Sequence, residues 1–452
     1  MSEKIKQSRK QFLKKLGVGT AAIISTPSII AAKPKQLITP LYRANYTAND
    51  TIQIALIGAG GMGSQDTYTA LKHDGVKLVA VCDLYSGRLE DAKKQWGNDI
   101  FTTRDYKEIL ARKDVDAVII GTPDHWHKQI SVEAMEAGKH VYCEKPMVHS
   151  IDEGHEVIAA QKKTGMVFQV GSQGLASLGN EKAQELLAQG AIGDINYAEG
   201  FWARRSPTGA WQYNIPKDAS TKTVDWDTFL RDNKKIPFDA TRFFRWRNYK
   251  DYGTGMSGDL FVHLFSSLHF ITKSLGPNQI YASGGLRYWK DGREVPDVLL
   301  GTFDYPDTQQ HPAFNLSLRC NFVDGTSGTT YLRIVGSEGS IDVQWDKVIL
   351  RRNNETFDDP FLKAQAAKSG ISSSRKKIVE QSETVYEAEK GYKGAHYDHF
   401  ANWFTAIRGG KSVVEDAIFG YRAAAPALAC NDSYFEDRAI KWDPIKMKKI
   451  KK

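Results

Sequence analysis

"TIQIALIGAGGMG", residues 51–63, is the stretch on which the fold turns. Its first half is a near-continuous apolar run, the mark of a parallel strand buried on both faces. Its second half opens into glycine at Gly58, Gly60 and Gly63, a G-x-G-x-x-G pattern with Met62 inside it. The first glycine permits a tight turn, the second lets a pyrophosphate approach the backbone, and the third lets the next helix pack closely. That helix would aim its free N–H groups at the phosphates. Chance glycine loops imitate the pattern, so its surroundings matter. "VKLVAVCD" (76–83) is a second apolar run and ends on Asp83, 20 residues beyond Gly63. A carboxylate there accepts hydrogen bonds from ribose hydroxyls and repels a 2′-phosphate. Leu84 and Tyr85 add no cation, so the expected cofactor is NAD rather than NADP.

Working outward, apolar runs and helical patterns alternate. "VDAVIIGTP", "HVYCEKP" and "MVFQVGS" read as strands, and "HKQISVEAMEAG" and "IDEGHEVIAAQKKTG" as helices. Such alternation predicts a doubly wound parallel sheet, an α/β Rossmann domain over 51–172. Ligands bind at the carboxyl ends of the strands in such sheets. Thr122-Pro123, Glu144-Lys145-Pro146 and Gly171-Ser172-Gln173 all sit at such ends. Lys145 therefore faces the cofactor crevice, and Gln173 is placed to meet a substrate.

The second half reads differently. After Gly190 come alternating runs such as "INYAEGFWARR", "DVLLGTFDY", "FNLSLRCNF" and "GTTYLRIVG", broken by turn residues. They predict a second α/β domain, 173–443, around a large, mostly antiparallel sheet. Two C-terminal helices follow, in "HYDHFANWFTAIRGG" and "VEDAIFGYRAAAPALACNDSYF". Between them and the first domain lies the aromatic, basic stretch "RFFRWRNYKDYGTGMSGDLFVHLF". Its glycines open a helix that carries Asp259, His263 and Ser267 at i, i+4 and i+8, along one face. Asp259 falls in the first turn, where the helix dipole favours it. Arg245, Trp246 and Tyr252 are candidates for contact with a sugar, whose C–H faces suit aromatic rings.

"IALIGAGGMG…VCD…IIGTPDHWHKQISVEAMEAGKHVYCEKP", with "GDLFVH" and "IVGSEGSI" further on, closely resembles the glucose–fructose oxidoreductase / inositol dehydrogenase / rhizopine-catabolism (Gfo/Idh/MocA) family over residues 51–443. The resemblance implies NAD-dependent hydride transfer at a secondary hydroxyl of a carbohydrate. It implies that Lys145, Asp259 and His263 form the catalytic set, and that His127 and Glu144 lie near the nicotinamide. It also implies homo-oligomer contacts through the second sheet. In the family an Asp commonly follows the His by three residues; here that position is Ser266. A second function is carried beside the first: an NAD-dependent glycoside hydrolase or lyase that oxidises C3 transiently and eliminates the glycosidic bond. Family members of that kind typically diverge at Glu-Lys-Pro, which is intact here.

Composition narrows the rest. A length of 452 residues suits two domains. The formal charge of +8 comes from the ends: residues 1–15 hold six cations against Glu3, and 446–452 hold five lysines. The body is slightly acidic, which argues against a nucleic-acid partner. The basic tail, 444–452, is expected to be solvated. Cys82, Cys143, Cys320 and Cys430 are scattered, with no CxxC pair, and His125 and His127 stand two apart without a carboxylate cluster, so no metal site is expected. "SRKQFLKKLGVGTAAIISTPSIIAA" has a basic start, a diluted apolar run and small residues, the layout of a signal peptide over 1–32. It resembles a twin-arginine signal with Lys10 in place of the second Arg, which implies export to the periplasm. Residues 33–50 read as a linker or arm. Glycines and Pro27 make the apolar run a poor spanning helix, so no stable membrane insertion is expected.

Overall fold

The computed structural model describes residues 35–38, 51–204, 209–325, 330–353, 381–409 and 412–450. The signal-peptide assignment lies outside them, as does most of the 33–50 arm. Residues Lys35–Ile38 form a first strand, β1.

The first domain is a six-stranded sheet. Its strands are β2 (Ile52–Ile57), β3 (Val76–Cys82), β4 (Phe101–Thr103), β5 (Ala117–Ile120), β6 (His140–Glu144) and β7 (Phe168–Gly171). Their order is β4-β3-β2-β5-β6-β7, and every pair is parallel. The order reverses at β2, which makes the crevice beside the glycine loop the topological switch point. β5 and β7 are buried on both faces, with all four residues of each inaccessible, as the apolar runs require. The short β4 has no such run and is not legible in the sequence.

The second sheet has eleven strands: β1, then β8 (Ile195–Ala203), β9 (Gln279–Gly285), β10 (Val298–Tyr305), β11 (Phe314–Asn321), β12 (Thr330–Gly336), β13 (Gly339–Val343), β14 (Lys347–Asn353), β15 (Gln381–Ala388), β16 (Ile440–Asp443) and β17 (Lys448–Lys449). Their order is β1-β15-β14-β13-β12-β8-β11-β10-β9-β16-β17. Only β1–β15 and β8–β11 pair in parallel. Burial alternates along β10 and β11, so one face is covered and the other open. Helices Leu178–Ala188, Val262–Thr272 and Ala417–Glu436 cover the inner face.

The chain returns to the first domain near its end. Helix Ala395–Ile407 places Phe400, Trp403 and Phe404 in one core with β2 and Tyr142, and the Phe400 and Tyr142 rings stack 4.4 Å apart. In the described part of the basic tail, 444–450, most side chains are exposed as expected, while β17 pairs with β16 and Lys449 meets Asp432 at 2.7 Å.

Candidate active site

The glycines at the switch point serve three different needs. Gly58 has φ +93°, and a Cβ there would lie 2.6 Å from the backbone of Gly121 and Thr122. A Cβ on Gly63 would lie 2.1 Å from the Gly58 carbonyl oxygen. Those two allow the turn and the close strand–helix contact. Gly60 is open: a Cβ there would reach only the Arg88 guanidinium, 3.9 Å away. Space in front of the second glycine is what a pyrophosphate needs.

Asp83 closes the loop from β3. Its Oδ2 accepts the Ala59 N–H at 2.8 Å and its Oδ1 the Tyr85 N–H at 2.9 Å. Arg88 stands 3.4 Å from Oδ2. The cation missing at 84 and 85 thus arrives from the next helix, where linear reading of the strand end did not look. Asp83 keeps lone pairs for a ribose because each carboxylate oxygen accepts more than one bond. The open second glycine and the carboxylate together fit NAD.

A cavity of about 640 Å³ runs from this loop across the face of the second domain. Gly58, Gly60, Met62, Asp83, Thr122 and Pro123 line one end, and Lys145, Asp259 and His263 line the other, with Gln173 and Trp246. Four expected residues do not reach its wall in the expected way: Tyr252, Arg245, His127 and Glu144. Tyr252 is 1% exposed, its ring packed against Phe229 and His125. Arg245 donates from Nε to the Tyr213 carbonyl at 2.9 Å. His127 lies behind the wall, with Nδ1 2.7 Å from the Pro146 oxygen and Nε2 2.9 Å from the Thr122 oxygen. Carbonyls only accept, so both ring nitrogens must donate and the ring is an imidazolium. Burial opposes that charge, but Cys143, Asp124 and the Pro146 carbonyl outweigh it and lift the pKa to about 10. His127 thereby ties the Lys145-Pro146 turn to the end of β5.

The three residues implied as catalytic come together across the domains. Lys145 Nζ donates to Asp259 Oδ1 at 2.8 Å and to the Asp259 carbonyl at 2.9 Å. Arg247 Nε donates to the same Oδ1 at 3.2 Å. Burial alone would raise the Asp259 pKa, but the Lys145 and Arg247 charges override it and hold the carboxyl well below its usual range. Asp259 is not in a regular first turn: Ser257–Phe261 is a π-helical turn that leads into helix Val262–Thr272. Such wide turns concentrate at functional sites. Ser267 does not join the set; its Oγ accepts from Asn180 at 3.1 Å.

His263 stacks on Trp202, with centroids 5.2 Å apart. Its Nδ1 is buried with no hydrogen-bond partner, which leaves Nε2 for a substrate. Burial, then the Lys145 and Arg204 charges, hold its pKa well below the ordinary value. The ring is neutral at neutral pH.

Glu144 turns the other way, away from the cavity. It meets Asp66 of helix Gly61–Ala70, and both carboxyls are buried. Gln173 Nε2 donates to Glu144 Oε1 at 2.5 Å and reaches Asp66 Oδ1 at 3.4 Å, and His396 Nε2 lies 2.8 Å from Asp66 Oδ1. Burial pushes the Asp66 carboxyl up to about 8 and raises Glu144 as well. Burial therefore favours the protonated form in this pair of carboxyls. Nearby, Ser266 donates to Glu415 Oε1 at 2.7 Å, so an acid does stand at the point where the motif lacks its Asp.

Sequence reading missed Trp202, Arg204, Asp66 and Glu415. Trp202 and Arg204 end the strand run "INYAEGFWARR", and no local motif marks them. Asp66 and Glu415 matter only through long-range packing. Among the described residues there is no cluster able to hold a metal, and no helix is long and apolar enough to cross a membrane.

Comparison with known proteins agrees with this layout. Residues 52–172 match the model of the Gfo/Idh/MocA oxidoreductase family, NAD-binding Rossmann fold, and 184–442 match that family's C-terminal alpha/beta domain. A glycosyl hydrolase family 109 protein of Shewanella baltica (strain OS155) is 27% identical over 245 residues, 49% of this chain and 50% of that one. The chain thus spans about half the length of the curated relatives it matches. Among solved structures, levoglucosan dehydrogenase in complex with NADH superposes with a TM-score of 0.64 at 18% identity, over 87% of this chain and 99% of that one. A putative myo-inositol dehydrogenase from Sinorhizobium meliloti 1021 gives 0.59 at 17%, over 86% and 99%. At those identities the likeness is one of fold.

Proposed function

This chain belongs to the Gfo/Idh/MocA oxidoreductase family, and on that premise we propose that it oxidises a secondary hydroxyl of a carbohydrate or glycoside. The observation that carries this is the convergence of Lys145, from the end of β6, with Asp259 and His263 in the cavity that also holds the glycine loop. Bound NAD supplies the hydride acceptor. Gly60 and Asp83 would hold its pyrophosphate and ribose ends.

The protein's own groups handle the proton and the charge. The alcohol loses hydride from carbon and a proton from oxygen, giving a ketone. His263, kept neutral by burial and two cations, accepts the proton on Nε2. Lys145, fixed by Asp259, holds the reacting oxygen and offsets the negative charge developing on it. This reading gives the base to His263 and the clamp to Lys145, roles that the sequence leaves interchangeable. Asp259 remains ionised, bridges Lys145 and Arg247 and does not compete for the proton.

The glycosyl hydrolase family 109 relatives support a second outcome from the same first step. A ketone at C3 acidifies the C2 proton; elimination, addition of water and re-reduction then give net hydrolysis. Incubation with a panel of nitrophenyl glycosides separates the two. The dehydrogenase predicts an intact linkage and a keto sugar, with reduced nicotinamide accumulating. The hydrolase predicts released nitrophenol without net redox change. No reaction of either kind with any sugar contradicts both.

Export is part of the proposal and is supported by the N-terminal sequence pattern. An exported enzyme has no pool of soluble NAD, so its nucleotide must be carried from the cytoplasm and remain bound. Self-association through the second sheet is supported by its open face, where Tyr281 and Leu300 are 44% and 49% exposed.

A further inference from the structure

Among the described residues that line the cavity beside the candidate catalytic groups, Arg204 has no carboxylate within ion-pair distance. Lys145 and Arg247 both engage Asp259. Arg88 faces Asp83, and Arg104 donates to the Lys222 and Thr223 carbonyls. Arg204 lines the same wall, yet among the described residues no acidic side chain pairs with it. Its guanidinium lies 6.0 Å from the Trp202 ring centroid, and Trp202 is the ring on which His263 stacks. Arg204 is exposed to the cavity in the free protein, and a sugar spanning His263 and Trp202 would displace part of the water around it.

Removing water from an unpaired guanidinium is costly unless an anion replaces the water. Arginine presents a planar fork of donors that matches a carboxylate in two parallel hydrogen bonds. A neutral sugar offers only single hydroxyl acceptors and leaves the charge uncompensated. The field of Arg204 already reaches the reacting groups, since it helps to keep His263 neutral. That field also reaches Asp259, which it helps to keep ionised, and an anion on the substrate would offset it.

We propose that Arg204 selects acidic sugars, with the carboxylate of a uronic acid or uronoside held in its fork while a ring hydroxyl meets His263 and Lys145. The assignment rests on the hydride-transfer function proposed above, and the test separates the two. Full-length protein carrying its co-purified nucleotide is mixed with sugars matched at every carbon except C6: methyl β-D-glucuronoside against methyl β-D-glucoside, and methyl β-D-galacturonoside against methyl β-D-galactoside. Nicotinamide reduction is followed by absorbance.

The acidic member of at least one pair should show kcat/KM about tenfold or more above its neutral partner, as a single charge-assisted contact supplies. Arg204→Gln should abolish that ratio, Arg204→Lys should keep part of it, and added NaCl should shrink it. Equal or better turnover of the neutral sugars leaves hydride transfer standing and overturns the assignment. So does a ratio unchanged in Arg204→Gln, or loss of nucleotide from that variant, which would give the guanidinium to the cofactor. No reduction by any of the four sugars counts against both.

Discussion

Glu144 and Lys145 are consecutive residues, both buried, and they open onto two acidic neighbourhoods that behave in opposite ways. On the Lys145 side the carboxylate, Asp259, lies between two cations and stays ionised. On the Glu144 side the carboxylate, Asp66, meets another carboxyl and an amide and keeps a proton. Burial is nearly the same in the two places, with Asp66 at 0% and Asp259 at 5% exposure. Burial raises both carboxyls; at Asp259 two adjacent cations override it, and at Asp66 it prevails. The pleat sends adjacent side chains to opposite sides, so one strand end serves a reacting pocket and a supporting one.

The largest effect should come from breaking the charged side. Asp259→Ala leaves Lys145 and Arg247 buried without their anion, and unfolding free energy should fall by about 3–5 kcal/mol in urea titrations. Glu144→Gln keeps a neutral hydrogen-bonding group beside Asp66 and should cost about 1 kcal/mol. Equal losses would erase the distinction between the two pockets.

A smaller effect sharpens it through pH. The Asp66 pKa is raised to about 8, against about 4 for an unfolded aspartate. Between those values the folded state binds more protons than the unfolded one, so this group makes stability fall as pH rises. Asp66 is faced by Glu144, Gln173, Lys145, His396 and Tyr142. Asp66→Asn should flatten the decline in melting temperature between about pH 4 and 8. Asp259 has the opposite sign. Its depressed pKa gives stability that is present above about pH 4 and lost as pH falls further. A wild-type curve steepened by Asp66→Asn would contradict a protonated Asp66.

The smallest expected signal is an absence of change. Because His263 is held neutral, kcat/KM should show no rise centred near pH 6.5, the ordinary histidine value. A full step there, lost in His263→Ala, would mean that the ring titrates normally and that Lys145 does not suppress it.

Much of the first domain was legible because its signals are local. Three glycines at fixed spacing, an apolar run on each side and Asp83 at a set distance describe a turn and its ligand. β4 escaped because three half-exposed residues carry no periodicity. In the second domain the alternating strands were readable. The late additions β14 to β17 were not, since their pairing depends on a sheet built elsewhere. The candidate set Lys145, Asp259 and His263 was nominated through a family resemblance in Glu-Lys-Pro and Asp-x-x-x-His, and the structure brings the three together. Its surroundings were not: Arg204, Trp202, Asp66 and Glu415 act through contacts between segments far apart in sequence. Tyr252 misled because an aromatic beside a functional motif reads as a ligand platform, whereas here it fills the wall behind it.

The most direct test of the central claim is a single-turnover experiment on the nucleotide-loaded protein and its Lys145→Ala variant, using a sugar that reduces the wild type. The account predicts that both proteins carry NAD by mass spectrometry. The band of reduced nicotinamide should rise in the wild type and grow about 10²–10⁴ times more slowly in the variant. Equal rates would remove Lys145 from the chemistry, and a variant without nucleotide would make Glu144-Lys145-Pro146 a structural motif instead.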